Sequence, residues 1–453
     1  MKRGAGRQVA GWMMFDWASQ PFATLLLTFV FAPYFATVVG DPVRAQALWG
    51  WALTLSGLAI ALLAPVLGAV ADGTGRRMPW IAAFSLLYMV GAAGLWWAAP
   101  GAVDRVPWIL ASFAIGLIGM EFATIFTNAM LPDLGPRHAL GRISGTGWAV
   151  GYVGGVLSLA LVMLFLAENE AGRTFLGRPP ALGLDPATRE GTRAVGPLTA
   201  LWYGIFMIPF FMWVRDRAPR QRRLRPGPAL RGLAATLRRL PAARSLTAFL
   251  GASMLYRDAL NGMYTFGGIY ALGVLGWSVV DIGIFGIAAA VTGAIFAWIG
   301  GRADSRFGPR PVILTCILVL LGTSVLIVTL TREAILGLPV PPGSALPDVA
   351  FYIAGGLIGA AGGALQSASR TMLVRQADPD RMTEAFGLYA LSGKATAFLA
   401  PAAIAIATEL TGSQRAGIAP LIALFGLGLV LLVWVKPDGD RAASPCPSAP
   451  SCV

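Results

Sequence analysis

Residues 49–77 read WGWALTLSGLAIALLAPVLGAVADGTGRR, an apolar run that ends in a short polar turn with one acid and two arginines. The run covers 49–70, and a helix needs about 20 apolar residues to cross the hydrocarbon layer of a bilayer. Further apolar runs occupy 25–39 and 106–120. The alternating polarity of membrane-spanning strands is not seen in these segments. The pattern therefore predicts an all-α integral membrane protein.

The composition of the chain favours the same interpretation. Of its 453 residues, 56% are hydrophobic and 13% are charged, whereas soluble domains carry about 25% charged residues. With one histidine and no cysteines at metal-binding spacing, a His- or Cys-based metal centre is not expected. The sequence contains no recognisable nucleophile–base pair and no phosphate-binding loop. It therefore predicts neither an enzyme nor a cofactor-dependent protein.

The net charge of +13 lies mainly in short segments between apolar runs. We expect its densest cluster to form a cytoplasmic loop that obeys the positive-inside rule. The same loop is suited to contact anionic lipid headgroups, and a nucleic-acid partner is not expected. The cluster consists of Arg215, Arg217, Arg220, Arg222, Arg223, Arg225, Arg231, Arg238, Arg239 and Arg244.

Twelve apolar segments are predicted, in two groups of six on either side of the arginine-rich stretch. This arrangement predicts an N-terminal six-helix bundle over 1–214, a cytoplasmic linker over 215–244, a C-terminal bundle over 245–436 and a disordered tail over 437–453. The predicted helices cover 12–39, 46–71, 80–99, 107–130, 144–167, 197–214, 245–274, 279–301, 311–331, 349–374, 385–408 and 416–435.

The distribution of lysine and arginine predicts the orientation. With the N-terminus inside, most basic residues outside the apolar cores fall on the cytoplasmic side, and this count includes Arg370. An even number of helices places both termini on that side. Arginine far exceeds lysine, and alanine and glycine abound, as in GC-rich genomes. We therefore expect a bacterial inner membrane.

The two groups of helices repeat one turn. Gly68-AVA-Asp72-GT-Gly75-Arg76-Arg77 follows the second helix, and Gly300-GRA-Asp304-SRF-Gly308-P-Arg310 follows the eighth. Each copy places an acid and arginines in a tight turn punctuated by glycine. Parallel six-helix repeats related by an axis along the membrane normal form one known transporter architecture. The sequence thus predicts two pseudo-symmetric halves.

The first copy fits the loop signature G-x-x-x-D-x-x-G-[RK]-[RK] of the major facilitator superfamily, with Gly73 in place of the usual arginine. The second copy has one extra residue between Asp304 and Gly308. Helix strings in both halves resemble the "unknown major facilitator" group, which includes the fungal autophagy-related vacuole effluxers. These strings are FDWASQPFATLLLTFVFAPYF at 15–35, GTGWAVGYVGG at 145–155, LQSASR at 365–370 and FGLYALSGKATAFLAP at 386–401.

The resemblance implies the twelve-helix major facilitator fold and the movement of a small solute by alternating access. Fungal members of the group are associated with release of amino acids from the vacuole, especially large neutral ones. In this superfamily the charged turns form contacts that close the cytoplasmic side. The residues that the resemblance assigns to such gating are Asp72, Gly75, Arg76, Arg77, Asp304, Arg306, Gly308 and Arg310. The alternative is that these charges are topology signals only.

Charged residues inside membrane helices are costly and usually face a cavity or a partner. Glu121 is the first choice for proton coupling, and the alternative is a fixed ion pair with Lys394 or Arg257. Lys394 is suited to hold a substrate carboxylate or to pair with an acid. The candidates for coupling or substrate binding are Glu121, Asp258, Arg257, Asn261, Lys394 and Asp16.

The other candidates are separated by helical geometry. Arg257 and Asp258 lie about 100° apart on a helix and cannot both face one point. Arg257 and Asn261 share a face, which is either a polar wall of the site or local packing. Asp16 is flanked by Trp12 and Trp17, so an interfacial cap or gate is its alternative role.

The sequence therefore predicts a proton-coupled carrier of an amino acid or a similar zwitterion. Sodium is the alternative coupling ion. A sugar–cation symporter is the nearest alternative function, because such symporters share the architecture. A membrane scaffold or assembly factor that reuses the fold is the alternative from another class, and it predicts that the intramembrane charges can be neutralised without loss of function.

Overall fold

The computed structural model describes residues 3–169, 171–216, 231, 233–236, 238, 240–277 and 279–440. Most of the arginine-rich linker and the tail from residue 441 lie outside the described residues. Residues 437–440, which were predicted to begin a disordered tail, are instead part of the packed chain. Asp440 accepts a hydrogen bond from the backbone N–H of Ser245 at 2.9 Å, so the packed chain extends beyond the predicted end at 436.

The first half contains six membrane-crossing segments. Helix α1 is built from three pieces, and α6 from two pieces that meet at Met207. The segments are α1 (Arg3–Pro21, Phe22–Phe29 and Phe31–Val39), α2 (Pro42–Thr74), α3 (Met78–Gly94), α4 (Val106–Ala129), α5 (Arg137–Phe165) and α6 (Val195–Phe206 and Ile208–Trp213).

The second half repeats this arrangement. A short β-hairpin, β1 (Ala334–Ile335) and β2 (Leu338–Pro339), joins its third and fourth segments. The segments are α7 (Arg244–Leu275), α8 (Val279–Phe307), α9 (Pro309–Thr329), α10 (Leu346–Gln376), α11 (Met382–Ala395 and Leu399–Thr411) and α12 (Gln414–Ile418 and Pro420–Leu431).

Among the described residues, ten of these helices are long and apolar enough to cross a membrane, and the bent α1 makes an eleventh. Helix α7 has 32 residues and is long enough as well, but it carries Arg257 and Asp258 in its middle. The twelve-helix fold predicted from the sequence is therefore confirmed. Several helices extend beyond their predicted ends: α1 starts at Arg3, and α5 starts at Arg137, so His138 lies in its first turn rather than in a loop.

Two helices predicted to be continuous are broken near prolines. The 3–21 piece of α1 ends at Pro21 and continues as a π-helix, and α11 is interrupted between Ala395 and Leu399, just before Pro401. Proline lacks a backbone N–H, and its ring clashes with the carbonyl of the fourth residue before it. For Pro401 that residue is Ala397, inside the break.

The two halves meet along two seams, where α5 packs against α8 and α10, and α2 packs against α11. A Cβ built on Gly145 of α5 would lie 2.4 Å from the carbonyl oxygen of Ala297 and 2.6 Å from the Cα of Gly301 on α8. Only glycine permits this approach of the two backbones.

The two ends of the bundle are named here by the chain termini. The terminal end is the end that holds residues 3 and 440, together with the turns 75–77, 130–136 and 377–381. The opposite end is the far end.

Candidate functional site

Glu121 and Lys394 form an ion pair between the two halves. The Nζ atom of Lys394 on α11 donates to Oε1 of Glu121 on α4 at 2.7 Å. Lys394 lies about 18 Å along α11 from Met382, at about 1.5 Å per residue, so the pair is well inside the bundle. The side chains of Lys394 and Glu121 keep 30% and 23% of their exposure, so the pair is only partly shielded. The ion pair that the sequence left as one alternative is present in this conformation.

Arg257 is held against α11 rather than against an acid. Its guanidinium lies 4.2 Å from the ring centroid of Tyr389 and donates to the Tyr389 carbonyl at 3.2 Å. Asn261, one turn further along α7, is exposed. The contacts of Arg257 are thus local packing against α11. The side chain of Asn261, in contrast, is accessible at the surface of α7.

Asp258 points away from Arg257, as the helical geometry predicts. Its side chain is buried, with 3% of the residue exposed. Oδ2 accepts the backbone N–H of Ala400 at 2.7 Å, just after the break in α11. Oδ1 is buried and has no hydrogen-bond donor within the part of the chain that the structure describes.

Asp16 pairs with Arg370, a residue that the sequence analysis assigned to a cytoplasmic segment. That assignment was wrong, because Arg370 lies inside α10 with 4% exposure. Its two terminal nitrogens donate to the two oxygens of Asp16 at 3.1 and 3.2 Å. The sequence did contain an indication that Arg370 is inside the membrane, because residue 370 falls within the predicted helix 349–374. Asp16 therefore contacts the opposite half in this conformation.

Two tryptophans of the first half surround the Arg370 guanidinium. Trp12 and Trp148 lie with their ring centroids 5.1 and 5.3 Å from its Cζ atom. Trp12 is fixed in turn by a 2.8 Å hydrogen bond from its indole N–H to the carbonyl of Thr127. An arginine stacked on aromatic faces and paired at two points is strongly oriented, so Arg370 joins α10 firmly to α1 and α5.

Asp72, in the first repeated turn, contacts the start of α11. Its carboxylate accepts the backbone N–H groups of Thr383 and Glu384 at 3.2 and 2.8 Å. Negative charge is favourable at a helix N-terminus, where backbone N–H groups have no intrahelical partner. Arg77 supports this contact, because it donates to Thr383 Oγ1 at 2.9 Å and pairs with Asp133 at 3.1 Å. The first turn thus links the halves at the terminal end.

Asp304, in the second repeated turn, occupies the corresponding place against α5. It accepts a hydrogen bond from the hydroxyl of Thr371, and a Cβ on Gly141 of α5 would lie 2.6 Å from its Cγ. The neighbouring Ser305 accepts the backbone N–H of Arg142 at 2.8 Å. Both repeated acids therefore pack against the first turns of a helix in the other half.

The remaining gating candidates do not bridge the halves within the described residues. Arg76 is exposed, Arg306 lies against the ring of Phe307, and Arg310 donates to the Leu432 carbonyl at 3.3 Å in its own half. Gly75 and Gly308 adopt φ of +68° and +87°, which lets the two turns reverse direction.

The contacts between the halves close the terminal end. Asp16, Asp72, Ser144 and Asp304 each contact the opposite half there, and Ser144 Oγ donates to the Ser367 carbonyl at 3.0 Å. The partly exposed Glu121–Lys394 pair lies on the far-end side of the Asp16–Arg370 pair along the helices. Among the described residues no group of His, Cys, Asp or Glu is arranged to hold a metal ion.

Comparison with known proteins identifies relatives over nearly the whole chain. The profile of the family described as "Vacuole effluxer Atg22 like" matches residues 35–443. The uncharacterized MFS-type transporter YxiO of Bacillus subtilis is 24% identical over 455 residues, which cover 97% of both chains. Autophagy-related protein 22-1 of Aspergillus niger is 25% identical over 327 residues, which cover 67% of this chain and 48% of that protein. The match thus spans about half the length of the fungal relative.

Solved structures share the fold at low sequence identity. The proton:xylose symporter XylE, a major facilitator superfamily protein, superposes with a TM-score of 0.67 over 97% of this chain and 98% of its own, at 12% identity. A likeness at this identity concerns the arrangement of the helices and not the cargo.

Proposed function

Because this chain belongs to the Atg22-like vacuole effluxer family and has the major facilitator fold, we propose that it transports a small zwitterionic solute, with amino acids as the first candidates. A proton gradient supplies the energy, and the solute moves by alternating access. The terminal end faces the cytoplasm of a bacterial cell.

The observation that carries this proposal is the Glu121–Lys394 pair. It offers a carboxylate and an ammonium from opposite halves, 2.7 Å apart and partly exposed. Separating an ion pair inside the bundle is costly because each charge loses its partner. A zwitterion removes that cost, since its ammonium replaces Lys394 beside Glu121 and its carboxylate replaces Glu121 beside Lys394. Bound solute therefore lets the halves move apart without leaving either charge unpaired.

The contacts at the terminal end supply the gate. Asp16 must release Arg370, and Asp72 must release the N-terminus of α11, before a solute can leave toward the cytoplasm. These contacts link elements of different halves, so a rocking motion of one half against the other breaks them together. The same motion closes the far end.

The test is transport by the purified protein in liposomes that hold a pH-sensitive dye. A panel of amino acids and sugars is added under an imposed pH gradient. We expect amino acids to cause proton movement, and we expect Lys394→Met to abolish it. The exposed Glu409 on α11 provides the matched control, and Glu409→Gln is expected to transport normally.

The alternatives give different results in the same assay. Proton movement with sugars and not with amino acids identifies a sugar–cation symporter. Tracer uptake that requires sodium, without proton movement, identifies sodium coupling. If no solute moves under any gradient, and neutralisation of Glu121 and Lys394 leaves the protein folded and functional in cells, the scaffold alternative replaces the transporter.

A further inference from the structure

The break in α11 lies directly beside a buried carboxylate. Helix α11 stops at Ala395 and resumes at Leu399. At the restart, Asp258 on α7 accepts the Ala400 N–H at 2.7 Å. Pro401 contributes no N–H, and Leu399 donates to the Thr396 carbonyl at 2.8 Å. Asp258 therefore caps the second piece of α11 from another helix.

The other oxygen of this carboxylate is left without a partner. Asp258 is buried, and Oδ1 has no hydrogen-bond donor among the described residues. An acceptor of this kind is rare in protein interiors and costs free energy. A carboxylate in that position remains a site for one more positive group.

The charged groups around Asp258 are engaged elsewhere. Arg257 lies over Tyr389, and Lys394 bonds Glu121. On α10, Arg370 pairs with Asp16. The piece of α12 at 420–431 has no charged residue, and on the second piece of α11 the charged residue is Glu409, about 13 Å beyond Ala400 at about 1.5 Å per residue. The negative charge of Asp258 thus has no basic partner in the described part of the chain.

We propose that Asp258 is the site of the coupling cation, a proton, and that its occupancy controls the break in α11. This inference rests on the proposed transport function and deepens it. The proton forms an O–H bond at Oδ1 while Oδ2 still faces the Ala400 N–H. Neutralisation removes the attraction between the carboxylate and the positive end of the helix, so the second piece of α11 is free to move relative to α7.

The position of Lys394 connects this movement to the solute. Lys394 is the next-to-last residue of the first piece of α11, and Ala400 is the second residue of the second piece. Displacement at the break therefore changes the position of the Lys394 ammonium relative to Glu121. Broken helices near the middle of the membrane commonly carry ion and substrate sites in transporters. Glu121, already neutralised by Lys394, is left for the solute.

Asp258→Asn is the decisive variant, because the amide oxygen still accepts the Ala400 N–H but the side chain cannot carry the proton. With L-leucine as the probe in proteoliposomes, we expect leucine–leucine counterflow to persist. We expect pH-driven accumulation and the accompanying proton movement to fall to background. Loss of counterflow as well, in a variant with an unchanged thermal midpoint, would overturn the proposal, as would retention of pH-driven accumulation or replacement of the proton by sodium.

An infrared measurement separates this proposal from the transport function. The C=O stretch of a protonated carboxyl is followed in difference spectra between acidic and alkaline samples of the full-length protein without solute. We expect a band that Asp258→Asn removes and that Glu409→Gln leaves in place. If the band is present but leucine is not transported, the proton site stands and the cargo assignment fails. If Asp258→Asn leaves every carboxyl band unchanged, the proton site is wrong whatever the cargo.

Discussion

Asp16 and Arg370 lie 354 positions apart in the sequence and form a two-point ion pair that joins α1 to α10. The arginine keeps 5% and the acid 12% of side-chain exposure. Because the pair is shielded, water has little access to the contact that it forms between the halves. In the proposed carrier cycle, the pair exists while the terminal end is closed and must break for that end to open.

We expect Asp16→Asn to destabilise the closed terminal end, because removal of one partner of a buried pair costs about 3–5 kcal/mol. The reporter is Ser144→Cys in a chain whose native cysteines are replaced. Residue 144 is buried at the contact between the halves, and its alkylation rate by a membrane-permeant maleimide is expected to rise about tenfold or more. The charge exchange Asp16→Arg with Arg370→Asp is expected to recover part of the protection. An alkylation rate unchanged by Asp16→Asn would mean that the Asp16–Arg370 pair does not keep the terminal end closed.

Removal of the Asp72 carboxylate is expected to open the same end by a smaller amount. Loss of a helix-capping side chain costs about 0.5–2 kcal/mol, which corresponds to an increase of about 2- to 30-fold in the population of the open state. The measurement is again alkylation of Ser144→Cys, now with Asp72→Ala. Arg76→Gln is the control, since Arg76 belongs to the same turn and is exposed. Equal effects of the two variants would mean that the charges of this turn only orient the chain in the membrane and do not hold the terminal end closed.

The Glu121–Lys394 pair is expected to determine selectivity for zwitterions. In the wild type, leucine should bind more tightly than leucinamide, which lacks the carboxylate, and than 4-methyl-2-oxopentanoate, which lacks the ammonium. The measurement is ligand-dependent thermal stabilisation of the purified protein, which does not require transport. A hydrogen bond to a charged group contributes about 1.5–3 kcal/mol, so each preference should be about 10- to 150-fold. Lys394→Met should lose the preference over leucinamide, and Glu121→Gln the preference over the oxo acid. Both preferences surviving in both variants would place the solute elsewhere.

The glycine contact between α5 and α8 gives a prediction about stability. Gly145→Ala places a methyl group 2.4 Å from the Ala297 oxygen, and overpacking of this kind costs about 1–3 kcal/mol. We expect a lower thermal midpoint of the detergent-solubilised protein. A Cβ built on Gly57 of α2 would meet no atom of another element within 4 Å in the described part of the chain, so Gly57→Ala should leave the midpoint unchanged or raise it. If both variants behave alike, the close approach of the two helices is not needed for stability.

The sequence was sufficient for the number and type of the helices and for the repeated turns. A chain inside the hydrocarbon layer must satisfy its backbone hydrogen bonds internally, so each long apolar run forms a helix. The acids and arginines at 72–77 and 304–310 were recognisable for the same reason, because charge is confined to the places where the chain leaves the membrane. The sequence also indicated that Glu121, Asp258 and Lys394 are exceptional, since charge within a helix core is costly.

Partner choice was decided by the tertiary structure alone. Nothing near Asp16 in the sequence indicates Arg370, and helical periodicity cannot rank Lys394, Arg257 and Arg370 as partners of Glu121. Pairing across the halves depends on the angle and depth at which twelve helices pack, and these follow from contacts such as Gly145 with Gly301. The break in α11 had a local cause in Pro401, but its capping by Asp258 required the position of α7. Local physics determined which segments are helices, and long-range packing determined which charges meet.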